Sequence, residues 1–82
     1  MSKVVLVTGG TRGIGAGIAI GLKEAGYNVV VNYNNNDEIA EVFKKDTGIP
    51  VYKWDVSDFN SAKSGMEKLT NEMGSIDILI NN

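Results

Sequence analysis

The chain contains no cysteine and no histidine, a single proline and a single arginine. Without thiols there is no disulfide staple and no thiolate metal site, and without imidazole the commonest catalytic base and metal ligand is missing. A metal-centred function is therefore not expected. Eight basic against ten acidic residues give a net charge of −2, so no basic face is available to follow a nucleic-acid backbone. Long hydrophobic runs are also absent: the run after Met1-Ser2-Lys3 is Val4 to Val7, too short for a signal-peptide core or a membrane span. The expectation is a cytoplasmic protein with neither membrane nor nucleic acid as partner. At 82 residues the chain forms one small domain or part of one, burying about 60 to 65% of its unfolded surface, which makes its stability marginal.

Glycine is plentiful instead, and its placement is informative. The run Thr8-Gly9-Gly10-Thr11-Arg12-Gly13-Ile14-Gly15 follows the apolar stretch Val4 to Val7 directly, joining a buried strand to a glycine-opened helix. Each fixed glycine has its own use: Gly9 permits a sharp turn off the strand, Gly13 lets backbone approach a pyrophosphate, and Gly15 lets the helix lie close to the sheet. The free N–H groups and the positive helix end then face an anion.

The rest of the chain alternates between the two hydrophobic periods. Val29-Val30-Val31 repeats the unalternating pattern of Val4 to Val7, as for central parallel strands covered on both faces. Between them Ile14, Ile18 and Leu22 fall on one helical face, and Gly26 closes that helix. Gly17 and Gly21 serve either close approach to a neighbour or nothing beyond tolerated weakness. After the polar loop Asn34-Asn35-Asn36, a second helix starts at Asp37 and Glu38, turns Ile39, Val42 and Phe43 inward, and ends at Gly48 and Pro50. Val51 to Trp54 reads as a strand, with Lys53 marking a sheet edge. Ser57 or Asp58 caps a third helix striped by Ala62, Met66, Leu69 and Met73, and Gly74 precedes a last strand over Ile76 to Ile80. The order is β-α-β-α-β-α-β over residues 1–82: an α/β fold, the N-terminal half of a Rossmann-type doubly wound parallel sheet. Right-handed crossovers give the strand order 3-2-1-4, with the first two helices on one face and the third on the other.

The spacing Thr8-Gly9-x-x-x-Gly13-x-Gly15 resembles the glycine motif of the short-chain dehydrogenase/reductase family at every fixed position. Two further motifs of that family occur in order: Asp55-Val56 after the third strand, and Asn81-Asn82, similar to the opening of the family's Asn-Asn-Ala-Gly element. The resemblance implies a nicotinamide dinucleotide bound by Gly9, Gly10, Thr11, Arg12, Gly13, Ile14, Gly15, Asn32, Tyr33, Asp55, Val56 and Asn82. In that role Asp55 accepts a hydrogen bond from the adenine amino group and Val56 contributes backbone, while Asn82 lies near the ribose and ties strands together. The alternative for Asp55 is an N-terminal partner of the following helix.

Cofactor choice has its own signal. Folds that prefer NAD place a carboxylate at the end of the second strand, where this chain has Asn32 and Tyr33. Arg12, in the glycine loop, either pairs its donor fork with a 2′-phosphate or is a solvated side chain. The expectation is NADP(H). Within the family, Asn32-Tyr33-Asn34 and Tyr52-Lys53-Trp54-Asp55-Val56-Ser57-Asp58 look most similar to acetoacetyl-CoA reductases and 3-oxoacyl-acyl-carrier-protein reductases. The implied reaction is NADPH-dependent reduction of a β-keto thioester. Family catalysis uses a serine, a Tyr-x-x-x-Lys pair and an asparagine located after the Asn-Asn-Ala-Gly element. No residue here takes those roles: Tyr27, Tyr33 and Tyr52 are followed four positions later by Val31, Asp37 and Val56. The 82 residues alone are expected to bind nucleotide and catalyse nothing; a non-catalytic oligomerising remnant or nucleotide-binding module is the alternative. The apolar last strand, left as an edge, suggests a homo-oligomer.

Overall fold

A strand needs unbroken apolarity only when both of its faces are covered. In the computed structural model, which describes residues 3–82, the elements are β1 (Val4–Thr8), α1 (Gly13–Glu24), β2 (Asn28–Tyr33), α2 (Asp37–Thr47), β3 (Val51–Lys53), α3 (Phe59–Met73) and β4 (Ile78–Ile80). The strands form one parallel sheet in the order β3-β2-β1-β4. Val5 lies between Val29 and Ile78, and Tyr33 beside Lys53.

Alternation along the strands divides the interior into two layers. Val5, Val7, Val29 and Val31 meet Ala19 of α1, Phe43 of α2 and the following Ile49 on one face. Leu6, Val30, Tyr52 and Trp54 meet Leu69 of α3 on the other. Two helices on one face and one on the other is the arrangement expected from right-handed crossovers. Leu6, Ile49 and Leu69 are fully buried, each stabilising the fold by about 1.5 to 3 kcal/mol relative to exposure. Gly65 lets α3 approach closely, since a Cβ there would run into the Trp54 indole. The buried Tyr52 hydroxyl donates to Glu72 of α3, and burial together with that carboxylate pushes its pKa up to about 12.

Two residues on the apolar helix faces are exposed. Ile14 is 78% exposed although Ile18 and Leu22 do pack on the core. Ile14 shares the face of Ile18 and Leu22 but stands in the first turn of α1, at the carboxyl edge of the sheet, while the fully buried positions are Gly15 and Ala19. Val42, 55% exposed, sits one residue off the Ala40–Phe43 stripe of α2, about 100° of helical phase from Phe43. Two strands are also shorter than expected. β3 stops at Lys53, although Trp54 still donates its N–H to the Tyr33 carbonyl at 3.0 Å. β4 begins at Ile78 because Ile76 packs towards α3, while the Asp77 carboxylate and N–H both engage the backbone of Val4.

Candidate functional site

The glycine turn is shaped by steric needs that only glycine meets. Gly9 and Gly13 have φ of 63° and 61°, a region that other L-residues enter at a cost. A Cβ on Gly15 would collide with the Gly9 carbonyl oxygen and crowd the Asn82 amide. Gly10 is buried, its N–H bonded to the Asn32 carbonyl at 3.3 Å, and a Cβ there would stand 2.5 Å from Val31 Cγ1. Packing on β2 thus accounts for Gly10, whereas nothing within 4 Å fills the space above Gly13.

The helix that starts here leaves its first turn open. Arg12 occupies the N-cap position of α1, but its side chain makes no capping bond, and no acidic residue lies in the first turn. The Ala16 N–H bonds the Arg12 carbonyl at 3.3 Å, and among the described residues the N–H groups of Gly13, Ile14 and Gly15 have no backbone acceptor outside their own helix. An α-helix cannot supply acceptors to its own first turn, so these donors and the positive helix end are left to partners outside the helix. Arg12 and Ile14 are both exposed beside them, and the Arg12 guanidinium takes no protein partner among the described residues.

Asn82 closes one side of the turn. Its N–H donates to the Thr8 hydroxyl at 3.0 Å and its side-chain amide to the Gly9 carbonyl at 3.3 Å, while the Thr8 hydroxyl reaches Asn81 Oδ1 at 3.2 Å. The asparagine pair therefore locks the end of β4 to the end of β1. Asn32, by contrast, is buried and spends its amide on the Trp54 carbonyl at 3.0 Å, tying β2 to the segment after β3. Its side chain serves the sheet; its carbonyl holds Gly10.

On the far side, Asp55 sits in a tight turn. Its carboxylate accepts from the N–H of Ser57 at 2.9 Å and from the Ser57 hydroxyl at 2.6 Å, and these bonds hold its pKa below the ordinary carboxylate value. The capping role belongs to Asp58, which accepts from the N–H groups of Asn60 and Ser61. Val56 is exposed next to Asp55. Thr11 lies across a groove from Asn36 and Ile39, so the glycine loop and the start of α2 face one another.

The same edge carries a cluster that the sequence reading underused. Tyr33 donates its hydroxyl to Asp37 Oδ1 at 3.0 Å, and the Lys53 ammonium lies 3.1 Å from Oδ1 and 3.3 Å from Oδ2 of the same carboxylate. Lys53 and Tyr33 lower the pKa of Asp37, while burial and Asp37 raise that of Tyr33. The usable signal was register: Tyr33 and Lys53 each stand two residues beyond a core valine, Val31 and Val51, that pair across β2 and β3.

Residues 3–82 match the sequence profile described as short chain dehydrogenase. The chain belongs to the short-chain dehydrogenase family. Among curated short-chain dehydrogenases, it is 54% identical over 82 residues to the acetoacetyl-CoA reductase of Rhizobium meliloti (strain 1021), covering all of this chain and 34% of that protein. It is 39% identical over 87 aligned positions to the 3-oxoacyl-acyl-carrier-protein reductase of Staphylococcus aureus (strain Mu50), covering all of this chain and 35% of that one. Among solved structures it superposes on L-sorbose reductase from Gluconobacter frateurii, determined in complex with NADPH and L-sorbose. The TM-score is 0.78 at 31% identity, over 99% of this chain and 33% of that one. The chain thus spans about a third of the length of the curated short-chain dehydrogenases it matches. No group of His, Cys, Asp or Glu among the described residues could hold a metal ion, and no described helix is long and apolar enough to cross a membrane.

Proposed function

We propose that these residues form the adenosine-binding part of a cytoplasmic NADPH-dependent reductase of β-keto thioesters, with acetoacetyl-CoA or a 3-oxoacyl thioester as substrate. The observation that carries the reading is the uncapped first turn of α1, where open space above Gly13 leaves room for a pyrophosphate that a side chain would otherwise exclude. In this reading the N–H groups of Gly13, Ile14 and Gly15 hold the pyrophosphate, with Thr11 beside them and Gly9 and Asn82 fixing the turn. Arg12 pairs with the 2′-phosphate, Asp55 accepts from the adenine amino group, Val56 supplies backbone and surface, and Asn82 borders the ribose. NADPH, when bound, supplies hydride. The residues present bind and orient it; none of them protonates a carbonyl.

Calorimetric titration with NADPH and NADH tests this. Binding that favours NADPH supports the reading, and equal or tighter binding of NADH overturns the cofactor assignment. Failure to bind either nucleotide favours a module that keeps the fold without the cofactor. The purified 82-residue chain should oxidise no NADPH with acetoacetyl-CoA above background, since it lacks the Tyr-x-x-x-Lys pair of its family.

One observation favours a further element of the proposal, self-association. β4 pairs with β1 on one side only, and Leu79 in its middle is 58% exposed. An apolar strand with a free edge is a template for pairing, so the isolated chain should form a homo-oligomer through β4. A stable monomer at high micromolar concentration by sedimentation would refute this.

A further inference from the structure

The absence of a carboxylate at the end of β2 was the sequence argument for a 2′-phosphate, yet the fold brings one back. Asp37, four residues beyond Tyr33, turns its carboxylate to the Tyr33 hydroxyl at 3.0 Å. An exposed carboxylate at this edge is what a ribose 2′-hydroxyl would seek and what a 2′-phosphate would be repelled by. It is not bare. Lys53, paired in register with Tyr33 at the end of β3, spans both carboxylate oxygens at 3.1 and 3.3 Å.

We propose that the Asp37–Lys53 pair sets the choice between adenosines with and without a 2′-phosphate: Lys53 masks Asp37, and the neutralised pair tolerates the phosphate that Asp37 alone would reject. The inference rests on the nucleotide-binding reading above. Three features of the cluster support it. The charges cancel within the pair, leaving Arg12 as a cation of the glycine loop opposed by no carboxylate within ion-pair distance among the described residues. An ammonium carries three donors, so Lys53 can hold Asp37 and still offer a proton to an incoming oxyanion. Both side chains are more than half exposed, at 53% and 66%, so the pair is open to a ligand and contributes little to the fold itself.

The arrangement makes Lys53 and Asp37 act in opposite directions, which distinguishes it from an ordinary surface ion pair. Lys53→Met unmasks the acid and should weaken 2′,5′-ADP about fivefold while leaving 5′-AMP unchanged or tighter; Asp37→Asn should strengthen 2′,5′-ADP about threefold. Lys53→Arg, which keeps the charge, should restore the wild-type preference. Each difference should shrink at about 0.5 M NaCl, where exposed charges are screened.

The experiment is calorimetric titration of the wild-type chain and the three variants with 2′,5′-ADP and 5′-AMP at low and high salt, each fold checked by circular dichroism. Opposite shifts for Lys53→Met and Asp37→Asn with the 2′-phosphorylated ligand, absent or reversed with 5′-AMP, support the proposal. Shifts of the same sign in both ligands, or no shift in either variant while wild type binds, overturn it and leave the nucleotide reading intact. If wild type binds neither ligand, both readings fall together.

Discussion

Three helices begin at the carboxyl edge of the sheet, and they begin differently. α2 starts with Asn36 accepting from the Ile39 N–H at 3.1 Å, followed by Asp37 and Glu38 in its first turn. α3 starts with Asp58 accepting from two N–H groups, behind a turn held by Asp55 and Ser57. α1 starts with an uncapped arginine, glycines and no acid. Local stability would favour a cap at all three positions, since each is worth about 1 kcal/mol. Forgoing it at one position, and surrounding that position with glycine, leaves backbone donors open at α1 of the kind that Asn36 and Asp58 engage at α2 and α3. The difference teaches where to look: the helix that does not satisfy its own first turn is the one to which the proposed pyrophosphate is assigned.

The comparison breaks most severely at Gly15. Gly15→Ala places a methyl group against the Gly9 carbonyl oxygen and the Asn82 amide, so α1 must lift from the turn. Overpacking of this kind costs about 1 to 3 kcal/mol, a large share of what so small a domain has. Thermal melting should show the loss, and nucleotide binding should vanish with the geometry of the turn. An unshifted melting temperature with intact binding would mean that the close approach is not needed.

Arg12→Ala sharpens the contrast from the opposite direction. Its side chain caps nothing and is exposed, so stability should stay within about 0.5 kcal/mol of wild type. Affinity for 2′-phosphorylated adenosines should nevertheless fall about tenfold, with 5′-AMP unaffected, because a charge-assisted bond is lost. Asp58→Ala should do the reverse: about 1 kcal/mol of stability lost, read from urea midpoints, with nucleotide affinity held.

How far these sites could be read from sequence depends on whether the cause is local. The strand order, the two-plus-one placement of helices and the glycine turn follow from hydrophobic period, crossover handedness and the positive φ of Gly9 and Gly13, all carried by short stretches of chain. Asp58 rather than Ser57 as the cap needed backbone geometry to decide. Val42 was misplaced because residue spacing defines a stripe only to within about one residue of helical phase, and Ile14 is exposed by its place in the first turn of α1. The Asp37–Lys53 pair and the packing of Gly65 on Trp54 depend on residues brought together across the sheet, and nothing in either segment alone announces them.

The smallest expected effect separates the helix starts by acidity. Asp55 is held below the ordinary carboxylate pKa by the hydroxyl and N–H of Ser57, and Asp37 by Lys53 and then Tyr33. In both cases the folded state favours the ionised form, so the unfolded chain takes up protons first as the solution is acidified. The stability these groups add is fully present above the unfolded carboxylate pKa of about 4 and disappears as pH falls through their lower folded values. Asp37 is exposed and Asp55 partly so, and the loss should be small and further reduced by salt. Urea midpoints followed from about pH 6 to pH 3 should therefore decline gently. The start of α1 has no carboxylate to protonate, so the decline should be unchanged in Arg12→Ala and flattened in Asp55→Asn and Asp37→Asn. A decline that persists undiminished when both aspartates are replaced would locate the acid sensitivity elsewhere and remove the electrostatic difference drawn between α1 and its neighbours.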